Sequence, residues 1–264
     1  MKKNLSKKIS IIALAFSSVL ATSTLSFAEN KIDWRVEGDV RGEYNSNLGQ
    51  IKNFPGDFIN SYTTTGTFRY LAPSQTQILG RVQAQYSKFI NLKDFDGVVL
   101  AGSMTLSQWL FNTLNVYAGV QPIQLISTVN TRKPFDMVYL GGLTYYYPFA
   151  NDLAYGGYQF DRLQASAQDF RGFNHTFILG LRHPLTKDLI GNLGARVRLR
   201  DLDTAPDDTR FTGNLTAQYL ITPWLTLQAG GEYTYVSSIS ADKTLGFFNF
   251  GVNVIGGYNN SLSF

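Results

Sequence analysis

The stretch IDWRVEGDVRGEY, residues 32–44, carries a charged residue at every second position. Successive side chains of a β-strand point to opposite faces, whereas a helix would spread them around its axis. We therefore predict a strand whose charged residues share one face, while its apolar residues and glycines share the other. The charged residues are Asp33, Arg35, Glu37, Asp39, Arg41 and Glu43.

The same period-two alternation recurs along most of the chain and predicts an all-β protein. Two regions, 137–147 and 154–164, carry tyrosine and glycine on both faces and are less regular. The regular stretches are 77–86, 114–121, 192–200, 211–219 and 225–235.

Short turns alternate with longer polar connections, which is the connectivity of an up-and-down meander. Five short turns give five hairpins and ten strands, and one strand at each end raises the total to twelve. We predict a single closed antiparallel transmembrane β-barrel of about twelve strands, because closure leaves no sheet edge open. The predicted turns are 71–75, 106–110, 148–152, 185–189 and 221–225, and the connections are 50–57, 88–97, 127–136, 165–172, 201–208 and 237–244.

The charged strand faces indicate which side of this barrel meets water. Ionised groups in a dry core cost several kcal/mol each unless they are paired, whereas a watery lumen keeps them solvated. The apolar faces then meet lipid, and closed strand pairing satisfies every backbone group within the membrane. Aromatic residues concentrate at membrane interfaces, and the predicted interface girdle is Trp34, Trp109, Trp224 and Phe264.

The first 28 residues have the three parts of a secretory signal peptide. Four lysines precede an apolar stretch at 9–20, and Ser26-Phe27-Ala28 fits a small-x-small cleavage site. We predict a signal peptide over residues 1–28 and an outer-membrane barrel over residues 29–264.

Charge and cysteine content exclude several classes of protein. The net charge of +4 equals the charge of Lys2, Lys3, Lys7 and Lys8, and residues 1–28 contain no acid. The remaining chain is neutral, which argues against a nucleic-acid partner, because such partners require a basic face. The absence of cysteine excludes disulfides, thiolate metal sites and a lipidated N-terminal cysteine.

The last strand alternates up to the terminal residue, from Phe248 to Phe264. A terminal phenylalanine after such an alternation resembles the C-terminal recognition signal of bacterial outer-membrane barrels, which implies the barrel-assembly machinery as a partner. With the signal peptide, this predicts the outer membrane of a Gram-negative-type bacterium, in contact with lipid and lipopolysaccharide. An even number of strands predicts that both termini are periplasmic.

Two segments resemble the beta-barrel porin 2 family. They are residues 42–47, GEYNSN, and residues 208–235, which include LTAQYLITPWLTL and GEYTY. The similarity lies in the pattern of strands and turns and spans most of residues 29–264. It implies a bacterial outer-membrane barrel of poorly defined function, without catalytic residues to transfer.

No catalytic, metal or cofactor site is predicted. His175 and His183 are the only histidines. Thr176 follows His175 directly, so the side chains of Thr176 and His175 point to opposite faces and cannot form a nucleophile–base pair. The acidic connection 201–208 lacks the glycine and the bidentate glutamate of a calcium loop, since position twelve is Thr212. We expect no enzyme activity, and an outer-membrane hydrolase stays as the weaker alternative.

The charged faces predict a narrow passive channel for small hydrophilic solutes. The first strand and residues 192–200 lie four strands apart in a twelve-strand barrel, so arginines on one wall would face mainly carboxylates across the lumen. Two alternatives remain: the charges pair into a plug-like network, or the barrel is a structural or secretion-accessory protein with a closed lumen whose loop 127–136 contacts a partner. The pore-lining candidates are the six charged residues of 33–43 with Arg196, Arg198, Arg200 and Glu232.

Overall fold

The computed structural model of the chain describes residues 31–47, 55–127, 134–238 and 245–263. These residues form one closed antiparallel barrel in which each strand pairs with its sequence neighbours and β1 pairs with β12. The predicted twelve-strand barrel is therefore confirmed, while the predicted signal peptide lies outside the described residues. The strands are β1 (Lys31–Asn45), β2 (Asp57–Leu71), β3 (Thr76–Phe89), β4 (Gly97–Leu110), β5 (Leu114–Ser127), β6 (Phe135–Phe149), β7 (Asp152–Gln164), β8 (Gly172–Pro184), β9 (Leu189–Leu202), β10 (Asp208–Thr222), β11 (Leu225–Ser238) and β12 (Leu245–Ser263).

The barrel is polar inside and apolar outside. Along β1 the charged residues are partly buried, while Trp34, Val36 and Val40 are exposed on the opposite face. Large apolar side chains on the outer face of other strands are also exposed, including Val82, Leu179 and Leu215 at 62–66%. The face that carries the charged residues of 33–43 is called the inner face below. Strand register then assigns each residue of all the other strands to the inner or the outer face.

At one end of the barrel, short turns connect the strands. The turn between β4 and β5 uses two non-glycine residues with positive φ, Phe111 at 55° and Asn112 at 60°. Thr113 N donates to Leu110 O at 3.3 Å, which closes this tight turn. The predicted turn at 106–110 was placed too early, because β4 continues as a strand to Leu110.

The opposite end carries the longer connections. Short 3-10 turns at Lys93–Phe95 and Gln168–Phe170 fold two of them. The fully buried carboxylate of Asp57 accepts hydrogen bonds from the backbone N–H groups of Phe58, Asn91 and Leu92 at 2.8–3.2 Å. This carboxylate therefore fixes the β3–β4 connection to the start of β2.

The less regular region 137–164 forms two complete strands, β6 and β7, with continuous pairing. Within the described part of the chain, no helix is both long and apolar enough to cross a bilayer.

Candidate functional site

Eight inner-face residues form a group in which every charge has an opposite charge beside it. We call this group the β1 charge ladder. The carboxylate of Asp33 contacts Lys31 at 3.6 Å and pairs with Arg69, which register places directly opposite. Arg41 lies 3.7–3.8 Å from the two carboxylates that flank it along β1. The members are Lys31, Asp33, Arg35, Glu37, Asp39, Arg41 and Glu43 of β1 with Arg69 of β2.

A second group, the arginine cluster, consists of Arg196, Arg198 and Arg200 of β9 with Arg210 of β10. The three β9 residues share the inner face because they are two positions apart, and register sets Arg210 directly opposite Arg198. This group occupies the middle and the long-connection half of the barrel wall.

Two carboxylates contact the arginine cluster. Asp208 accepts from Arg200 Nη1 at 2.9 Å and from Arg210 Nε at 3.1 Å, so one acid serves two arginines. Glu232 lies 3.7 Å from Arg196. Arg198 Nε donates to the Thr176 hydroxyl at 3.3 Å, and no ion pair of Arg198 occurs among the described residues. Among the described residues, these two carboxylates therefore form ion pairs with three of the four guanidinium groups.

A hydrogen-bonded strip continues along the inner face from the arginine cluster toward β5. Asn174 Nδ2 donates to Asp161 at 2.5 Å, and Gln159 Nε2 donates to the same carboxylate at 3.2 Å. Tyr117 Oη then donates to Gln159 Oε1 at 3.2 Å. This strip joins β8, β7 and β5 through neutral and acidic groups.

Aromatic residues line the inner face near the short turns. The rings of Trp109 and Tyr146 are 5.3 Å apart, and those of Tyr146 and Tyr155 are 6.2 Å apart. Tyr155 lies against Gly180 on the neighbouring strand so closely that a side chain at Gly180 would have no room. An aromatic wall therefore borders the lumen at this end.

The predicted tryptophan girdle is divided between the two faces. Trp34 and Trp224 are exposed, at 38% and 62%, and Trp34 lies on the outer face. Trp109 instead faces the lumen, because its register partner Asn115 and Tyr146, whose ring it contacts, are both on the inner face. The prediction that Trp109 belongs to the girdle is therefore corrected. The reason is that the β4–β5 turn lies later in the chain than predicted. Phe264 lies outside the described residues.

All ten pore-lining candidates share the inner face, and β1 and β9 are four strands apart around the barrel. The cations of the β1 charge ladder lie beside its acids and neutralise them locally. Sequence reasoning missed Arg69, Arg210, Asp161 and the lumen-facing tyrosines. Extending the β10 alternation back from Thr212 would have found Arg210.

The two histidines lie on the outer face of β8. His175 Nδ1 is 2.7 Å from the hydroxyl of Tyr158, and His183 contacts Asp152 near the short turns. Within residues 31–47, 55–127, 134–238 and 245–263, no three His, Asp or Glu side chains converge into a metal-binding group.

No protein-family model and no curated protein sequence matches the chain. Solved structures do match. The COG4313 outer membrane channel from Pseudomonas putida F1 is 9% identical, with a TM-score of 0.53 over 88% of this chain and 96% of that one. The NanC porin is 14% identical, with a TM-score of 0.50 over 82% of this chain and 98% of that one. The chain therefore has the fold of bacterial outer-membrane barrels.

Proposed function

We propose that this protein is an outer-membrane β-barrel of the beta-barrel porin 2 type and a narrow passive channel for small hydrophilic solutes. The supporting observation is the exposure of charged side chains on the inner face. Lys31 and Arg35 are 39% and 40% exposed although they point into the barrel. A lumen filled by a dry plug would bury such side chains, whereas a water-filled lumen leaves them solvated.

In the proposed orientation, the short turns and both termini are periplasmic, and the long connections face outward. Lys31 and Ser263 pair at the short-turn end, in agreement with this arrangement. The exposed outer face contacts lipid and, near the long connections, lipopolysaccharide. The barrel-assembly machinery recognises the strand that ends at Phe264. No catalytic function is proposed.

Planar-bilayer recording tests the channel. Residues 29–264 are refolded in detergent, and a heat-modifiable shift in gel mobility identifies folded barrels. We expect discrete current steps in KCl after insertion. A folded, inserted barrel that carries no current contradicts the channel proposal.

A structural or secretion-accessory barrel with a closed lumen is the second candidate. The ion pairs within the β1 charge ladder favour it, because such pairs also suit a network that fills the lumen. This candidate predicts no current and co-purification with another envelope component. Recording and pull-down from solubilised outer membranes therefore distinguish the two.

A further inference from the structure

One region of the inner face carries no charged residue. Residues 97–127 contain no Asp, Glu, Lys or Arg, and residues 137–160 contain only Asp152, whose side chain lies on the outer face. The inner face is therefore uncharged from β4 to β7 over the half of the barrel nearest the short turns. The charged residues at the borders of this region are Arg81, Asp161 and Arg182.

Two tyrosines of this region lie over glycines of the neighbouring strand. Tyr155 and Gly180 are direct register partners, and the tyrosine ring fills the space that a side chain at Gly180 would take. Tyr117 covers its partner Gly142 in the same way, since a Cβ at Gly142 would lie 2.7 Å from Tyr117 Oη and 2.8 Å from Cζ. Both rings therefore lie along the barrel wall instead of projecting across the lumen.

The aromatic wall, formed by Trp109, Tyr146 and Tyr155, leaves ring surface free for a solute. Each of the three side chains is partly exposed. The ring centroids of neighbouring members are 5.3 and 6.2 Å apart, and their planes are tilted by 35° and 36°. At this tilt the rings do not cover one another, so each leaves part of its surface toward the lumen.

Neutral hydrogen-bonding groups accompany these rings. Asn115 and Thr144 are register partners on the inner face beside Tyr146, and Tyr117 Oη donates to Gln159 at 3.2 Å. Amides and hydroxyls can both donate and accept. Such a surface suits a saccharide, because the polarised C–H groups of a sugar ring meet the negative face of an aromatic ring. The hydroxyls of the sugar then meet the amides and hydroxyls of the wall.

We propose that the aromatic wall binds a ring of a neutral saccharide in the lumen. This site deepens the proposed function by naming the solute class, and it rests on the lumen being open to solutes. An organic cation also stacks on aromatic faces, but the surroundings disfavour it. Arg182 lies at the border of the wall, and the nearby carboxylate of Asp161 is occupied by Asn174 and Gln159.

Saturation-transfer-difference NMR measures the binding of maltotriose to the refolded barrel in a detergent without a sugar headgroup. We expect a saturable signal for maltotriose and none for sorbitol, which has hydroxyls but no ring. Trp109→Leu and Tyr146→Leu keep apolar volume but remove the aromatic face. Each should weaken binding about tenfold, within the range for stacking of one ring on an aromatic side chain. Tyr146→Phe keeps the ring and should bind within about twofold of wild type.

Tyr145→Leu is the matched control, because Tyr145 is the adjacent residue of β6, lies on the outer face and is 48% exposed. It should bind maltotriose within about twofold of wild type, since it removes no ring surface from the lumen. Heat-modifiable gel mobility confirms that each variant is folded, and the two leucine variants lie on different strands, so each tests the site independently.

Three results would overturn the proposal. The first is wild-type protein that binds maltotriose no better than sorbitol. The second is binding by both Trp109→Leu and Tyr146→Leu at the level of Tyr145→Leu. The third is tighter binding of tetramethylammonium or of tri-galacturonate than of maltotriose, which would assign a charged solute to the wall.

The NMR titration needs no ion current, so the two proposals fail separately. A folded barrel that binds maltotriose but carries no current refutes the channel and retains the site. A barrel that conducts but does not bind maltotriose refutes the site and retains the channel.

Discussion

The β1 charge ladder and the arginine cluster lie four strands apart on one inner face, yet they neutralise charge in different ways. Along β1 the charges are of mixed sign, so Arg35 and Arg41 each find an acid two residues away on the same strand. Along β9 the inner-face charges at 196, 198 and 200 are all positive, and their acids come from β10 and β11. A mixed-sign strand can form most of its ion pairs within itself in any register, whereas a run of one sign depends on register with its neighbours.

The largest difference between the two groups should appear in stability. Asp208→Asn removes the shared acid of Arg200 and Arg210 and leaves Arg200, whose side chain is 6% exposed, as a buried unpaired cation. We expect a loss of about 3 kcal/mol in the free energy of unfolding, the typical cost of breaking a buried pair. Urea unfolding in lipid vesicles, followed by gel mobility, measures it.

Asp39→Asn is the matched variant in the β1 charge ladder. Its partner Arg41 is 32% exposed and also contacts Glu43, so we expect a loss below about 1 kcal/mol, as for partly solvated pairs. Equal losses in the two variants would show that Asp208 is no more important to the arginine cluster than one acid is to the ladder.

The second prediction concerns ion selectivity and rests on the proposed channel. Arg198→Glu changes the charge of the arginine cluster by two units and places a carboxylate opposite Arg210. We expect the permeability ratio to shift several-fold toward cations, because lumen charge sets the local concentration of each ion. Reversal potentials in a KCl gradient measure the shift. Lys88 is exposed on the outer face near the long connections, so Lys88→Glu, the same change of charge outside the lumen, should leave the reversal potential close to wild type.

The fold follows from local pattern, and that explains why it could be predicted. Alternation in residues 33–43 assigns each side chain to a face without reference to any other strand. The position of the β4–β5 turn could not be read this way, since Phe111 and Asn112 adopt positive φ although neither is glycine. That displacement moved Trp109 from the expected girdle to the lumen.

The site was less predictable because it depends on pairing between strands. The β9 arginines were visible from their spacing, but the opposition of Arg198 and Arg210 is a property of register across the β9–β10 connection. The contact of Asp33 with Arg69 likewise joins two strands. In residues 137–164, tyrosine and glycine occur on both faces, so only pairing reveals that Tyr146 and Tyr155 line the lumen.

The third prediction tests whether one uncompensated cation in the β1 charge ladder alters ion selectivity, and it rests on the proposed channel. Glu43→Gln leaves the β1 charge ladder with one uncompensated cation but creates no pair of facing arginines. We expect a shift toward anions smaller than the opposite shift of Arg198→Glu, because one unit of charge changes rather than two. Asp94→Asn, in the exposed Lys93–Phe95 turn, controls for loss of a carboxylate elsewhere. A shift of Glu43→Gln toward cations would contradict a lumen in which wall charge sets the ion ratio.

The smallest effect is expected where a charged pair is most solvated. Arg35 is 40% exposed and contacts Glu37 along its own strand, so Arg35→Gln should change the free energy of unfolding by less than about 0.5 kcal/mol. The same urea titration measures it. Arg69→Gln is the matched variant, because Arg69 is 16% exposed and contacts Asp33 on the neighbouring strand. A larger loss for Arg69→Gln than for Arg35→Gln is expected, since the less exposed guanidinium of Arg69 makes an ion pair that water screens less. The reverse order would mean that pairing within a strand, rather than between strands, stabilises the β1 charge ladder.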